Sequence, residues 1–217
     1  MKRKSALQEK KVKREAEEEE ETIVMSAKRE REEAAAAEVF SLRSVTRPTL
    51  LLSETIMKAN VRRMVDRAKK LGVELIPHFK THQSRKIGRL IKDMGIRHIQ
   101  VASVQMAEYF AGDCRENDDV IWDKITIAFP FNPLEIQALN AILKKGVEVT
   151  VLVTELSTVR KLSERVYYSE EKLLNVMIEL DCGDGRSGVC PSDTDTLRQL
   201  ANEVTKSKAL NLYGLYW

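Results

Sequence analysis

From residue 48 onwards, short runs of β-branched and apolar residues alternate with longer segments whose apolar residues recur at helical spacing. The predicted strands cover 49–52, 73–76, 99–102, 124–129, 147–153, 175–180 and 210–217. The predicted helices cover 54–71, 84–94, 104–111, 134–145, 156–166 and 194–206. Such alternation is typical of βα units built around a parallel sheet.

The number of predicted strands limits which α/β architecture the chain can form. A closed (β/α)8 barrel needs eight parallel strands and about 250 residues. The 217-residue sequence supplies seven predicted strands, and no helix follows the last of them. We therefore predict an α/β fold that forms a partial barrel. Its first helix follows Ser53, which is typical of N-caps, and ends at Gly72, which is typical of C-caps.

Residues 1–46 differ in composition from the rest of the chain. Basic residues open this segment, an acidic block and four alanines follow, and glycine and proline are absent. Helix propensity is therefore high, but no apolar stripe is available for burial. We predict a charged helical or disordered extension over 1–46 and the barrel domain over 47–217. A docking arm or a coiled-coil partner segment is the functional alternative for the extension.

Composition excludes several classes of protein. The net charge of +3 is too small for a dedicated nucleic-acid binder. No apolar run approaches the roughly 20 residues of a membrane span, so we expect no membrane partner. The three cysteines are odd in number and lack CxxC spacing, which favours a reducing compartment and a cytoplasmic location.

A lysine and two histidines follow the second predicted strand, in the stretch from Pro77 to Gln83. In α/β barrels, active sites lie at this strand-to-helix edge. Lysine becomes a nucleophile or a Schiff-base partner when burial and neighbouring cations lower its pKa. We predict that Lys80 is catalytic and that His78, His82 and Arg85 supply the cations. A solvated surface loop is the alternative.

The two histidines and a later glycine-rich stretch each have a second interpretation, as a metal site and as a nucleotide-binding site respectively. His78 and His82 are four residues apart, as in helical zinc sites, but Pro77 disfavours a helix and no third ligand is evident. We therefore assign no metal site. The stretch 181–189 contains G-x-G-x-x-G, but it follows the sixth predicted strand, and Pro191 separates it from the next helix. We therefore reject a Rossmann fingerprint.

The glycines of 181–189 are instead predicted to form a sharp turn that positions Arg186. They let the backbone turn sharply and direct Arg186 towards the mouth of the barrel. An arginine there suits a phenolate or carboxylate oxygen, through charge-assisted hydrogen bonds. The alternative is a surface arginine in a flexible loop.

The string from Pro77 to His82 resembles the P-H-x-K-T-H motif of the D-threonine aldolase and D-serine dehydratase-like family. That family belongs to the alanine racemase-type, fold type III pyridoxal phosphate enzymes. Further similar blocks lie in register at 48–52 together with Asn60 and Val61, at 101–108, at 127–130 and at 181–189, so that the resemblance covers about 47–217. Five blocks in order are specific to the superfamily and less specific to one substrate.

The resemblance implies a cofactor and a role for each site residue. Lys80 would hold pyridoxal 5′-phosphate as a Schiff base and move the substrate α-proton. Arg186 would contact the phenolic oxygen of the cofactor or the carboxylate of the substrate. Tyr216 would lie near the cofactor ring, and His78 and His82 would shape the surroundings of Lys80.

The resemblance also implies a fold and an activity. The fold is an alanine racemase N-terminal-like barrel plus a β-domain, so that segment 49–52 is one N-terminal strand and six of the eight barrel strands are present. The activity is that of a pyridoxal phosphate-dependent lyase acting on small D-amino acids, such as a D-threonine aldolase or a D-serine dehydratase. A non-catalytic carrier of pyridoxal phosphate and an amino-acid racemase are the alternatives. A homodimer is left open.

The chain departs from the family pattern at several points. Arg47 and Ser53 replace a usual threonine and aspartate, and Asp184 stands where the family often has a bulkier residue. Family members continue for well over a hundred residues beyond the position of Trp217. We expect that part to carry the phosphate-binding loop, the last barrel strands and the ligands for a divalent metal. We therefore predict an N-terminal fragment with impaired activity.

Overall fold

The structure of the protein is a computed structural model that describes residues 42–112, 122–169 and 172–217. The chain divides into two units, Met1–Leu52 and Ser53–Trp217. Within the described part of the first unit, a single turn of 3-10 helix covers Leu42–Ser44. The predicted extension over 1–46 lies outside the described residues, apart from 42–46.

The second unit contains a parallel sheet with helices between its strands. The strands are β1 (His98–Val101), β2 (Lys124–Pro130), β3 (Glu148–Val153), β4 (Leu174–Glu179) and β5 (Leu210–Tyr216). The helices are α1 (Glu54–Leu71), α2 (Arg85–Asp93), α3 (Val104–Ala111), α4 (Ile136–Lys144), α5 (Leu156–Arg165) and α6 (Thr194–Lys206). The strands pair in parallel in the order β1-β2-β3-β4-β5. The predicted fold class is therefore confirmed.

The predicted helix signals act at both ends of α1. The hydroxyl of Ser53 accepts a hydrogen bond from the backbone N–H of Ile56 at 3.4 Å. At the other end, Gly72 adopts the left-handed conformation, with φ of 67°. These contacts satisfy backbone groups that a helix end would otherwise leave unpaired. Among the described helices, none combines the length and the apolar composition that a membrane span requires.

The two faces of the sheet differ in polarity. One face packs against the helices through a fully buried apolar layer that includes Ile99, Ile125, Val149 and Val176. Because side chains alternate along a strand, the next residue on each strand faces the concave side of the sheet. One layer of that side is polar and in register across all five strands: Gln100, Thr126, Thr150, Asn175 and Asn211.

One long-range hydrogen bond demonstrates the curvature of the sheet. The hydroxyl of Tyr216, on β5, donates to Oε1 of Gln100, on β1, at 3.3 Å. In a flat sheet, four strand spacings would separate β1 from β5 by about 19 Å, which is beyond the reach of these two side chains. The sheet therefore curves as part of a barrel.

Two predicted strands are absent from the structure. Segment 49–52 forms no strand, and Leu50 is fully exposed. An apolar run becomes a strand only where a neighbouring strand pairs with it. Segment 73–76 is not a strand either. Its continuation instead forms one parallel bridge, between His78 and Gln100. Pro77 contributes to this shortening because it has no N–H for a ladder.

Candidate active site

A cavity of about 250 Å³ lies at the carboxyl edge of the sheet. It is lined by the ends of β2, β4 and β5 and by the loops that follow β1 and β4. All four residues that the sequence predicts to bind the cofactor line it: His78, Lys80, Arg186 and Tyr216. These residues come from segments up to 138 positions apart in the sequence, since they run from residue 78 to residue 216.

Phe79, the residue before Lys80, fixes this segment through the packing of its ring and a hydrogen bond of its backbone. Phe79 is fully buried, and its ring packs edge-on against Phe110 and Trp122, each at 5.1 Å between ring centroids. Its backbone N–H donates to the carbonyl of Gln100 at 2.8 Å. Lys80 itself is exposed and lines the cavity. Phe79 is therefore anchored in the core, and the residue that follows it, Lys80, lines the cavity.

His78 is held in its neutral form. Partial burial, and then the charge of Lys80, lower the pKa of its imidazole. Its Nδ1 accepts a hydrogen bond from the backbone N–H of Lys80 at 3.2 Å, which requires an unprotonated Nδ1. His78 therefore orders the backbone of Lys80 instead of supplying a positive charge.

His82 and Arg85 do not line the cavity that contains Lys80. The ring of His82 lies 4.4 Å from that of Phe79, and burial lowers its pKa. The guanidinium of Arg85 donates to the carbonyl of Tyr109 at 2.8 Å and lies over its ring. The predicted source of cations around Lys80 is therefore not found in these two side chains.

The loop after β4 is organised by one carboxylate and three glycines. Oδ1 of Asp181 accepts backbone N–H bonds from Gly183 at 3.0 Å and Gly185 at 3.1 Å, and these bonds lower the pKa of that carboxyl. Gly188 has φ of 107°, and a Cβ there would overlap the backbone of Leu180 and Asp181. The loop therefore needs glycine at this position in order to return alongside β4.

Arg186 brings a guanidinium to the cavity, as the sequence predicts. The side chain is exposed, and its guanidinium carbon lies 5.5 Å from the centre of the Phe129 ring. Arginine in such a position binds planar oxygen anions through charge-assisted hydrogen bonds.

Two opposite charges act on the phenol of Tyr216. Burial, and then the carboxylate of Glu179, raise the pKa of its phenol, while the guanidinium of Arg186 opposes this increase. Its hydroxyl donates to Gln100. The phenol is therefore protonated at neutral pH and is held in place from the opposite side of the curved sheet.

Sequence reasoning missed three residues of this site: Gln100, Glu179 and Ser187. Glu179 ends β4 with only 9% of its surface exposed, and its Oε1 accepts from the hydroxyl of Ser187 at 2.8 Å. The available signal was a carboxylate at the end of an apolar strand, immediately before a glycine loop. For Gln100 no sequence signal existed, because its partner is 116 residues away.

A larger cavity of about 670 Å³ lies at the opposite edge of the sheet, around the first residues of β2, β3 and β4. Its central polar groups already have partners. Lys124 pairs with Glu148 at 3.3 Å, and Asn175 donates to the same carboxylate at 3.0 Å. The smaller cavity is the candidate active site because it combines an amine, a guanidinium and a buried carboxylate. The described residues contain no group of three or more side chains suited to hold a metal ion.

Comparison with known proteins identifies the family. The family described as "Alanine racemase, N-terminal domain" matches residues 53–217. The chain belongs to this family. The matched range contains every strand and helix of the curved sheet and all residues of the candidate active site.

The individual relatives agree with this assignment. The chain is 28% identical over 167 residues to a 3-hydroxy-D-aspartate aldolase of Paracoccus denitrificans, covering 76% of this chain and 40% of that protein. It is 23% identical over 175 residues to a D-serine dehydratase of Dictyostelium discoideum, covering 74% of this chain and 42% of that protein. The crystal structure of a D-threonine aldolase from Filomicrobium marinum superimposes with a TM-score of 0.69 at 24% identity, covering 80% of this chain and 44% of that one. The chain thus spans less than half the length of these relatives.

Proposed function

We propose that this chain carries the lysine-bearing part of a pyridoxal phosphate-dependent lyase that acts on small D-amino acids with a β-hydroxyl group. The observation that carries the proposal is the convergence of Lys80, Arg186 and Tyr216 on one cavity at the carboxyl edge of the curved sheet. This is the edge at which barrel enzymes build their active sites.

The chemistry of the residues fits the cofactor. An aldehyde needs an amine, which Lys80 provides from an exposed position in the cavity. A phenolic or phosphate oxygen needs a cation, which Arg186 provides. Phe129 and Tyr216 add aromatic surface at the same edge. In this proposal Lys80, Arg186, Tyr216 and His78 hold pyridoxal phosphate.

When bound, pyridoxal phosphate supplies an electron sink for negative charge at the substrate α-carbon. The chain contributes the groups around it. Lys80 holds or moves the proton at the α-carbon, and the backbone bond to His78 fixes the segment from which it reaches. Arg186 orients an anionic oxygen, while the protonated phenol of Tyr216 is steadied by Gln100.

The names of the relatives support the substrate class. 3-Hydroxy-D-aspartate, D-serine and D-threonine share the D configuration and an oxygen on the β-carbon. Cleavage between the α- and β-carbons and loss of the β-hydroxyl are the two reactions that these names imply. A racemase would need only the α-proton step, and a carrier would need none. A homodimeric assembly, a divalent metal supplied by residues beyond this sequence and impaired activity of this chain alone stay predictions.

The test begins with cofactor binding. Pyridoxal phosphate added to the protein is expected to give the visible absorbance of a lysine-bound cofactor, and Lys80→Ala is expected to abolish it. Lys86→Ala, which changes an exposed lysine on α2, is the matched control and should retain the band. A band that survives in Lys80→Ala would refute the assignment of the lysine.

The second stage separates the candidate functions. Release of glyoxylate from D-3-hydroxyaspartate, or of an aldehyde from D-threonine, identifies an aldolase, and release of pyruvate from D-serine identifies a dehydratase. Exchange of the α-proton without either product identifies a racemase. A Lys80-dependent band with no turnover of any of these compounds is the result expected of a carrier, and also of a lyase part whose activity is impaired.

A further inference from the structure

One buried oxygen atom, on a residue that lines the cavity, has no partner within the described part of the chain. Glu179 is 9% exposed, and its Oε1 accepts a hydrogen bond from the hydroxyl of Ser187. Its Oε2 is buried and makes no hydrogen bond to any residue that the structure describes. A buried carboxylate oxygen without a donor is costly, so binding of an N–H donor at this point is favourable.

The surroundings of this oxygen define the ligand that would suit it. Glu179 and Arg186 line the same cavity with opposite charges. Both lie within electrostatic range of one phenol, that of Tyr216, on which their charges have opposite effects. A free amino acid carries an ammonium and a carboxylate on the same carbon, so its charges complement this arrangement.

We propose that Oε2 of Glu179 accepts a charge-assisted hydrogen bond from the ammonium group of the incoming amino acid, while Arg186 attracts its carboxylate. Glu179 then selects amino acids over the corresponding hydroxy acids before any bond to the substrate is made. This inference rests on the proposed function and deepens it, because it assigns the recognition of the substrate amine to a residue of this chain. The rival partner for Oε2 is the ammonium of Lys80.

The experiment compares two ligands that differ in one group. D-Serine and D-glycerate have the same carbon skeleton and configuration, but D-glycerate carries a hydroxyl in place of the ammonium. Saturation-transfer NMR titrations of each ligand are made on the cofactor-free full chain, so that no covalent chemistry contributes. The wild-type protein is expected to bind D-serine roughly tenfold or more tightly than D-glycerate.

Three variants and one control test the role of the carboxylate. Glu179→Gln should lose the preference, so that the two ligands bind within about threefold of each other. Ser187→Ala keeps the carboxylate and should keep the preference, whereas a purely structural role for the pair predicts that both variants behave alike. Glu179→Asp keeps the negative charge on a side chain that is one methylene shorter. It should reduce the preference for D-serine over D-glycerate at least about threefold. Glu164→Gln, at an exposed position of α5, is the matched control.

The outcomes separate this inference from the proposed function. Equal affinities of the wild-type protein for the two ligands would overturn it. A preference for D-serine that persists in Glu179→Gln would also overturn the inference, and this result is expected if the ammonium of Lys80 is the partner of Oε2. If Glu179→Gln does not fold, an unchanged preference in Glu179→Asp overturns the inference instead. Failure of the proposed function is seen separately, as the absence of a Lys80-dependent cofactor band in the wild-type protein.

Discussion

Replacing Phe79 by alanine tests whether the core anchors the segment that carries Lys80. The Phe79 side chain is fully buried and contacts the rings of His82, Phe110 and Trp122 at centroid distances of 4.4, 5.1 and 5.1 Å. Truncation of a fully buried phenylalanine costs about 3–5 kcal/mol. For a unit of this size, a loss of this magnitude lowers Tm by about 6–20 °C.

The assay is urea or thermal unfolding followed by circular dichroism, in parallel with titration of pyridoxal phosphate. We expect the variant to lose cofactor-binding capacity at temperatures where it is still folded, because Phe79 precedes Lys80 directly. The control is Leu134→Ala, which truncates a side chain that is 88% exposed and should change stability by less than about 0.5 kcal/mol. A loss below about 1 kcal/mol in Phe79→Ala would refute the anchoring role.

Three further predictions concern the loop, the closure of the sheet and the response to acid. Gly188→Ala should lower stability by about 1–3 kcal/mol, measured by urea unfolding, because its Cβ overlaps the backbone and its φ is 107°. Combining Gln100→Leu with Tyr216→Phe should give a coupling free energy of about 0.5–1.5 kcal/mol in a double-mutant cycle, because each removes one partner of the same bond. Stability should fall as the pH drops below 6.5, the ordinary pKa of a histidine such as His98. Burial lowers the pKa of this imidazole in the folded state, so that acid protonates the unfolded chain preferentially.

Each of these predictions has its own control and its own contradicting result. Gly72→Ala places a Cβ in open space at φ of 67° and should cost less than Gly188→Ala; an equal cost would contradict the overlap argument. Tyr213→Phe, also on β5, should show no coupling to Gln100→Leu, and coupling there would mean that the cycle reports a general effect. His98→Asn should flatten the acid limb of the stability profile, and an unchanged limb would assign the loss to other groups.

Local sequence signals predicted the helix ends and the order of the elements well, because helix caps and apolar periodicity are local features. Ser53 and Gly72 bound α1 as predicted, through hydrogen bonds within four residues of each cap. The alternation of apolar runs and helical periodicity also gave the parallel sheet, whose strands pair in the order of the sequence. Segment 49–52 shows the limit of such signals. Its leucines satisfy a strand pattern, but strand formation depends on a pairing partner that a local pattern does not specify.

The site was predictable only where a motif carried it. Lys80, His78 and Arg186 were predicted from their loops after apolar strands and Tyr216 from the resemblance, and the structure places all four around one cavity. The sequence did not reveal Glu179, because burial of its carboxylate depends on the returning loop that brings Ser187 to it. Nor did it separate His78 from His82, since only tertiary packing turns His82 against Phe79 and away from the cavity.

The central claim is that the amine of Lys80 is the group that captures pyridoxal phosphate. Borohydride reduction of the cofactor-treated protein, followed by peptide mass spectrometry, measures this directly because it fixes the cofactor on the lysine that holds it. We expect one reduced pyridoxyl group per chain, on Lys80. Modification spread over exposed lysines, or concentrated on a lysine outside the cavity, would contradict it.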